Sequence, residues 1–417
     1  MSSPDDERAP QLLIRDLAQV ATPAGRVAPL RGAGLASVEV VEDAFVLIDQ
    51  GRITAVGPMR LLRSPAGEVE ELDGRGLSAV PGLVDCHTHA CFAGDRVEEF
   101  SLRAAGAGYE ELHAVGGGIL STVRATREAG ERGLALALER HAEWMLQAGT
   151  TTFEAKSGYG LDRDTELAQL RVIRAAGGVA TWLGAHAVPP ELAGSGADAY
   201  VDFLLAEVLP DAARIAEAAD VFLERGAFDV DQARRYLEAC RAAGLELRLH
   251  GDQFTESGAI PLAIELRARS VDHLESTGRA GVAALAASDV VGVLLPASAL
   301  FLGRPMPPAR ELVDAGAAVA LATDLNPGSA FCESLPLVCS LACTQLGLSP
   351  EESLVACTVN AAHVLSRAER KGRLAPGFDA DVVLLDADDW RHLAYHLGGP
   401  VVHTVLRGGR AAWKRAA

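Results

Sequence analysis

The stretch Val80-Pro81-Gly82-Leu83-Val84-Asp85-Cys86-His87-Thr88-His89 runs from a proline–glycine break through an apolar segment into two histidines one residue apart. In a strand, residues i and i+2 share a face, so His87 and His89 converge on one point, a geometry for sharing a metal ion. Seven further apolar, β-rich runs follow at 150–156, 179–186, 220–224, 245–250, 270–275, 289–296 and 318–324, alternating with Ala-, Leu-, Glu- and Arg-rich stretches of helical period. Eight βα units predict a (β/α)8 barrel of the TIM type, in which functional groups sit at the carboxyl ends of the strands. Those ends carry Glu154, Lys156, His186, Glu224, His250, His273 and Asp324 in addition to the first two histidines. Buried parallel strands need no polar residue at their tips for packing, so this coincidence points to a site.

The flanks read differently. Residues 38–80 form β-branched runs around an Asp49-Gln50-Gly51 turn, and beyond about residue 366 the helical alternation stops and short strands return in "DADVVLLDAD" and "PVVHTVLRGGRAAW". The expectation is a small β-sandwich domain built from both chain ends, 1–78 and 366–417, with the barrel inserted as 79–365. The first crossover, from His89 to Thr150, is the longest. Its Gly116-Gly117-Gly118 lacks the Lys-Ser/Thr of a phosphate loop and reads as a flexible loop over the site.

Composition narrows the partners. Lys and Arg number 38 against 56 Asp and Glu, for a net charge of -18 with no basic run, which argues against nucleic acid and anionic membrane surfaces. Seven cysteines, an odd number without small-domain spacing, argue against a disulfide framework and for a reducing cytoplasm. The opening "MSSPDDERAPQLLIRD" lacks a basic region followed by an apolar core, and no segment offers 18 uninterrupted apolar residues. The expectation is a cytoplasmic protein that acts on a small molecule.

His87, His89, His250 and Asp324 supply three imidazoles and a carboxylate, a donor set suited to a zinc or iron ion with a position open to water. His273, in "VDHLE", is placed to polarise a substrate carbonyl; the alternative is a structural histidine buried beside Asp272. Asp324 can both hold the metal and accept a proton. A carboxylated Lys156 bridging two metals is a weaker alternative, since its run is the second strand rather than the fourth.

The segments "PGLVDCHTH", "VDHLE" and "LATDLNPG", with His250, resemble the amidohydrolase superfamily of metal-dependent barrel hydrolases. Within it, "DCHTHACFAGDRVEEFSLRAAGAGYEEL", "GGGILSTVRATR", "EAKSGYGLD", "LGAHAVPPE", "HGDQFTESGA", "SVDHLES" and "LATDLNPGS" resemble the imidazolonepropionase family, in the family's order over residues 81–329. The resemblance implies hydrolysis of the cyclic amide of 4-imidazolone-5-propanoate to N-formimidoyl-L-glutamate in histidine degradation, by a homodimer. It implies His87, His89, His250 and Asp324 as ligands of one zinc or ferrous or ferric iron ion, with Asp324 and His273 catalytic. It implies Arg96, Tyr159, His186, Gln253, Asn326, Gly328 and Ser329 as substrate or product contacts. An arginine fork suits the substrate's propanoate, although spacing alone would leave Arg96 an exposed surface residue. Gln253 stands where some members carry Glu, and an amide cannot shuttle a proton; Ser329 stands where many carry Thr and keeps the hydroxyl. Cys86 and Cys91 match no ligand position and read as apolar fillers. The alternatives are a deaminase or another cyclic amide or amidine hydrolase of the superfamily, which Gln253 disfavours for the deaminase, and a non-catalytic barrel, which would be expected to have lost a ligand.

Overall fold

The computed structural model describes residues 11–63, 68–106 and 118–416. Two sheets organise it. The first is a continuous eight-stranded sheet: β1 (Leu12–Pro23), β2 (Val38–Asp49), β3 (Arg52–Pro58), β4 (Glu70–Asp73) and β5 (Ser78–Pro81) come from the start of the chain. The second is the parallel barrel, β6 (Leu83–Asp85), β7 (Thr150–Lys156), β8 (Val179–Ala185), β9 (Ala218–Leu223), β10 (Glu246–Gly251), β11 (Ser270–His273), β12 (Val291–Leu294) and β13 (Val319–Leu321). The terminal sheet is completed by β14 (Val382–Leu385), β15 (Val402–Arg407) and β16 (Arg410–Lys414), in the order β16-β15-β14-β5-β1-β2-β3 with β4 beside β1.

Both chain ends therefore build one sheet, as the patterning predicts. Leu12, Ile14, Leu17 and Val20 of β1 share a core with Val382 and Leu384 of β14 and Leu406 of β15. The β2–β3 hairpin turns at Gln50 and Gly51, both with positive φ, the conformation a two-residue turn needs to match strand twist. β1 itself is absent from the sequence reading. A bulge between Ile14 and Leu17, with Asp16 at φ 56°, breaks its alternation of apolar and polar residues. It also runs parallel to β4 and β5, so the sheet is mixed rather than purely antiparallel.

All eight barrel strands fall on the eight runs, ordered consecutively from β6 to β13, and the ladder from β7 to β13 is parallel at each pairing. Past the strand ends the chain closes further. The Asp324 N–H donates to the His87 carbonyl (3.0 Å), the His89 N–H to the Leu325 carbonyl (2.9 Å) and the Lys156 N–H to the Thr88 carbonyl (2.9 Å). These bonds seat the first strand's tip between those of the second and eighth. The chain divides into two compact units: residues up to Asp85 with Trp144–Thr152 and Ser334 onward, and Cys86–Glu143 with Phe153–Glu333. Every candidate site residue lies in the second. Gly116 and Gly117 of the glycine run lie outside the described residues. All seven cysteines are free thiols, with Cys86 and Cys91 buried.

Candidate active site

His87, His89 and Asp324 come together because their strand tips do. His87 Nε2 lies 3.5 Å and His89 Nε2 3.6 Å from Asp324 Oδ1, and His250 Nε2 faces His89 Nε2 at 3.2 Å. All four are buried. Burial holds His87 and His89 well below the ordinary histidine range and brings His250 down to about 4, so the imidazoles are neutral and offer lone pairs.

The far nitrogens fix the tautomers. His87 Nδ1 donates to Asp272 Oδ2 (2.6 Å) and His250 Nδ1 to Asp220 Oδ1 (3.1 Å), which leaves Nε2 as the acceptor on each ring. His87 Nε2 is then a buried lone pair with no hydrogen-bond partner, which is costly unless a cation takes it. His87, His89 and Asp324 offer ligand atoms all within 4.8 Å of one another, a cluster able to hold a metal ion. His273 lies within the same cluster, since its ring, with His87 and His250, offers nitrogens all within 4.8 Å of one another.

Beneath the histidines lies a buried ionic floor. Lys156 Nζ donates to Glu154 (2.7 Å) and Asp220 (2.9 Å) and lies 3.8 Å from Asp272, while Arg248 Nη1 donates to Glu154 (3.0 Å). Lys156 is thus an ion-paired ammonium here, its pKa raised because three carboxylates outweigh burial. Asp272 hydrogen-bonds His87, while the hydrogen-bond partner of His273 is Glu275. Spacing gave no hint of Asp220: it lies inside a strand, and only the fold brings it to His250.

His273 sits at φ 85° with Nδ1 3.4 Å from Glu275 Oε1. Burial lowers its pKa, but the carboxylates of Glu275, Asp324 and Asp272 outweigh this and the net shift is upward. Burial pushes Asp324 up to about 6, against the opposing pull of His273. Asn326 folds the segment after Asp324 by accepting the Gly328 and Ser329 N–H groups (both 2.8 Å), and Ser329 Oγ lies 3.4 Å from Asp324 Oδ2.

A cavity of about 630 Å³ opens onto this cluster; His89, His250, His273 and Asp324 line it, and so do Arg96, Tyr159, His186, Gln253, Asn326, Gly328 and Ser329. His186 donates from Nδ1 to the Gly158 carbonyl (2.9 Å), and burial lowers its pKa to about 4, leaving a neutral ring. Tyr159 lies beside it, ring centroids 5.4 Å apart, its phenol pushed up by burial and so protonated. Arg96 is not the exposed arginine its spacing suggests. It precedes the helix Val97–Ala104 with its side chain only 13% exposed, Nε and Nη2 donating to Glu99 (2.9 and 2.8 Å). Its Nη1 lies over Gly328, where an added Cβ would come within 2.2 Å, so a glycine is what lets the guanidinium approach.

A barrel whose strand tips gather imidazoles and a carboxylate at a cavity is the architecture of metal-dependent hydrolases. The profile of the Amidohydrolase family matches residues 78–412, and the chain belongs to that family. Within it the chain belongs with the imidazolonepropionases: it is 60% identical over 407 residues to the imidazolonepropionase of Rubrobacter xylanophilus, covering 95% of this chain and 97% of that protein. It is 47% identical over 416 residues to that of Chloroflexus aggregans, with the same coverage of 95% and 97%. Among solved structures a triazine hydrolase variant superposes with a TM-score of 0.69 over 97% of this chain and 95% of that one, at 19% identity, a likeness of fold.

Proposed function

We propose that this site hydrolyses the cyclic amide C–N bond of 4-imidazolone-5-propanoate to give N-formimidoyl-L-glutamate, and that a single zinc or iron ion at His87, His89, His250 and Asp324 serves the reaction. The observation that carries the reading is the convergence of three neutral imidazoles and Asp324 at one point, two of the rings being held from behind by Asp272 and Asp220. When bound, the ion would act as a Lewis acid and lower the pKa of a water.

The chain's own residues do the rest. Asp324 takes a proton from the attacking water and returns it to the departing ring nitrogen, while the water oxygen stays in the new carboxylate. Its second oxygen is steadied by Ser329 Oγ. His273, biased toward its protonated form and held by Glu275, donates to the carbonyl oxygen as negative charge develops there. His186, fixed as a neutral ring by Gly158, accepts from a ring N–H of the substrate, with Tyr159 beside it. Gln253 and Asn326 border the ring, and Arg96 beside Gly328 receives the propanoate. In the same reading the enzyme is a homodimer in the cytoplasm, supported by the family resemblance and by seven free cysteines. Among the described residues no helix is long and apolar enough to cross a membrane.

The test is turnover of freshly generated 4-imidazolone-5-propanoate, followed by loss of its absorbance, for the wild type and Asp324→Asn. The wild type turns it over and loses activity to a chelator. Asp324→Asn loses roughly a thousandfold or more in kcat, the scale expected when an acid–base group that also holds the Lewis acid is removed. Near-wild-type activity in an Asp324→Asn protein that retains its metal sinks the assignment.

A further inference from the structure

Arg103 lines the same cavity as Arg96 and, of the further arginines there, is the one that meets it at Gly328. Arg96, Glu99 and Arg103 are spaced i, i+3 and i+7, so they share one face of the helix Val97–Ala104 and its N-terminal flank. Glu99 occupies the Nε edge of Arg96 with both its oxygens and is itself anchored by the Gly118 N–H at 2.8 Å. The Arg96–Glu99 pair therefore carries no net charge. Arg103 supplies the surplus. Its Nη2 donates to the Gly328 carbonyl at 3.1 Å, and its guanidinium rests on the Phe301 ring at 5.1 Å from the centroid. Gly328 is the same residue that Arg96 Nη1 overlies, so two guanidiniums meet at one glycine in the cavity wall.

We propose that Arg103 is a specificity-determining residue: together with Arg96 it forms a two-arginine clamp for the substrate's propanoate carboxylate, and it provides the clamp's net positive charge. In a chain of net charge -18 an anionic substrate meets repulsion from most of the surface, and a local excess of cation is what a carboxylate subsite requires. The Phe301 ring, 5.1 Å from the Arg103 guanidinium carbon, and the Gly328 carbonyl together hold the guanidinium in place at the cavity wall. Glu99 acts as a positioning residue that aims Arg96 and prevents it from binding an anion through its Nε edge.

This inference rests on the substrate reading above, and its test separates the two. The dissociation constants of imidazole-4-propanoate and of its neutral carboxamide are measured by calorimetry on the wild-type holoenzyme and on Arg103→Met and Arg103→Lys, with melting temperatures. Methionine keeps the stem packed on Phe301 and removes the donors. The wild type prefers the carboxylate. Arg103→Met weakens the carboxylate at least about tenfold, as loss of a charge-assisted contact does, and leaves the amide within about twofold; Arg103→Lys recovers part of the preference. If the wild type shows no preference for the acid, the substrate reading fails. If the wild type prefers the acid and Arg103→Met keeps that preference, or loses acid and amide alike, the clamp is overturned. Should Arg103→Met not fold, Arg103→Lys carries the test through its own weakening of the acid relative to the amide, and no change there overturns the clamp.

Discussion

The floor of the cavity and its mouth use the same kinds of residue in opposite ways. At the floor, Lys156, Arg248, Glu154, Asp220 and Asp272 are wholly buried, and each charge meets partners from other strands. At the mouth, Arg96, just before the helix Val97–Ala104, pairs with Glu99 in its first turn, and Arg103 leans on an aromatic ring. Charges taken out of water are tolerable only while every partner is present, so the floor couples the histidines' positions to the stability of the barrel. At the mouth the partners lie within one helix and its flank, so fewer strand-to-strand contacts depend on them and they are free to serve recognition.

That contrast is broken most directly at Lys156. Lys156→Met leaves Glu154, Asp220 and Asp272 buried beside Arg248 as the remaining cation of the network. Removing one partner of such a network costs about 3–5 kcal/mol, so urea unfolding should show a loss of that size together with a fall in bound metal. Glu99→Gln at the mouth keeps an acceptor for the Gly118 N–H and for Arg96 and should cost less, about 1 kcal/mol, while raising KM. Equal losses from the two substitutions would erase the distinction.

The parts of this architecture visible in sequence are those written in local period. Continuous apolar runs marked the barrel strands, and His-x-His marked the first tip, because strand geometry alone puts His87 and His89 on one face. His250 and Asp324 were legible as polar residues ending the fifth and eighth apolar runs, whereas Tyr159 and Ser329 were read through resemblance, since no local rule brings a loop residue to a distant tip. What escaped was long-range or compensated. Asp220 looks like any aspartate ahead of "VFLE", and its bond to His250 exists only once β9 lies beside β10. Arg103 and Glu99 sit on an amphipathic helix among ordinary surface charges, where spacing alone favours solvent. β1 was hidden by its own bulge, which interrupts the period the reading depends on.

Glu166 is a buried carboxylate that gathers the N–H groups of Gly158, Gly160 and Leu161 and so shapes the turn carrying Tyr159. Burial raises its pKa from 4.5 to about 7 despite those donors. The sign follows from proton counting. Between those two values the folded chain holds a proton that the unfolded chain has lost, so this contribution is fully present below about pH 4.5 and is lost as pH rises through 7. The loss amounts to about 3 kcal/mol on the scale of 1.36 kcal/mol per pH unit of displacement. Glu166→Gln removes the titration, so its unfolding free energy should gain on the wild type by about that amount between pH 4 and pH 8. A difference that stays constant across this range would place Glu166 with the paired charges of the floor.

The smallest expected effect tests whether the mouth is separable from folding. In Gly328→Ala the new Cβ would lie 2.2 Å from Arg96 Nη1, closer than real side-chain carbons come, so the guanidinium must shift. The obstructing atom is the far end of a flexible side chain, which keeps the cost to the fold low. The displacement should therefore appear as a rise in KM of about tenfold, equivalent to about 1.4 kcal/mol of binding, with kcat within about twofold and the melting temperature unchanged. A fall in melting temperature with KM unchanged would mean that Gly328 serves the barrel wall rather than the clamp, and that Arg96 reaches the carboxylate from another direction.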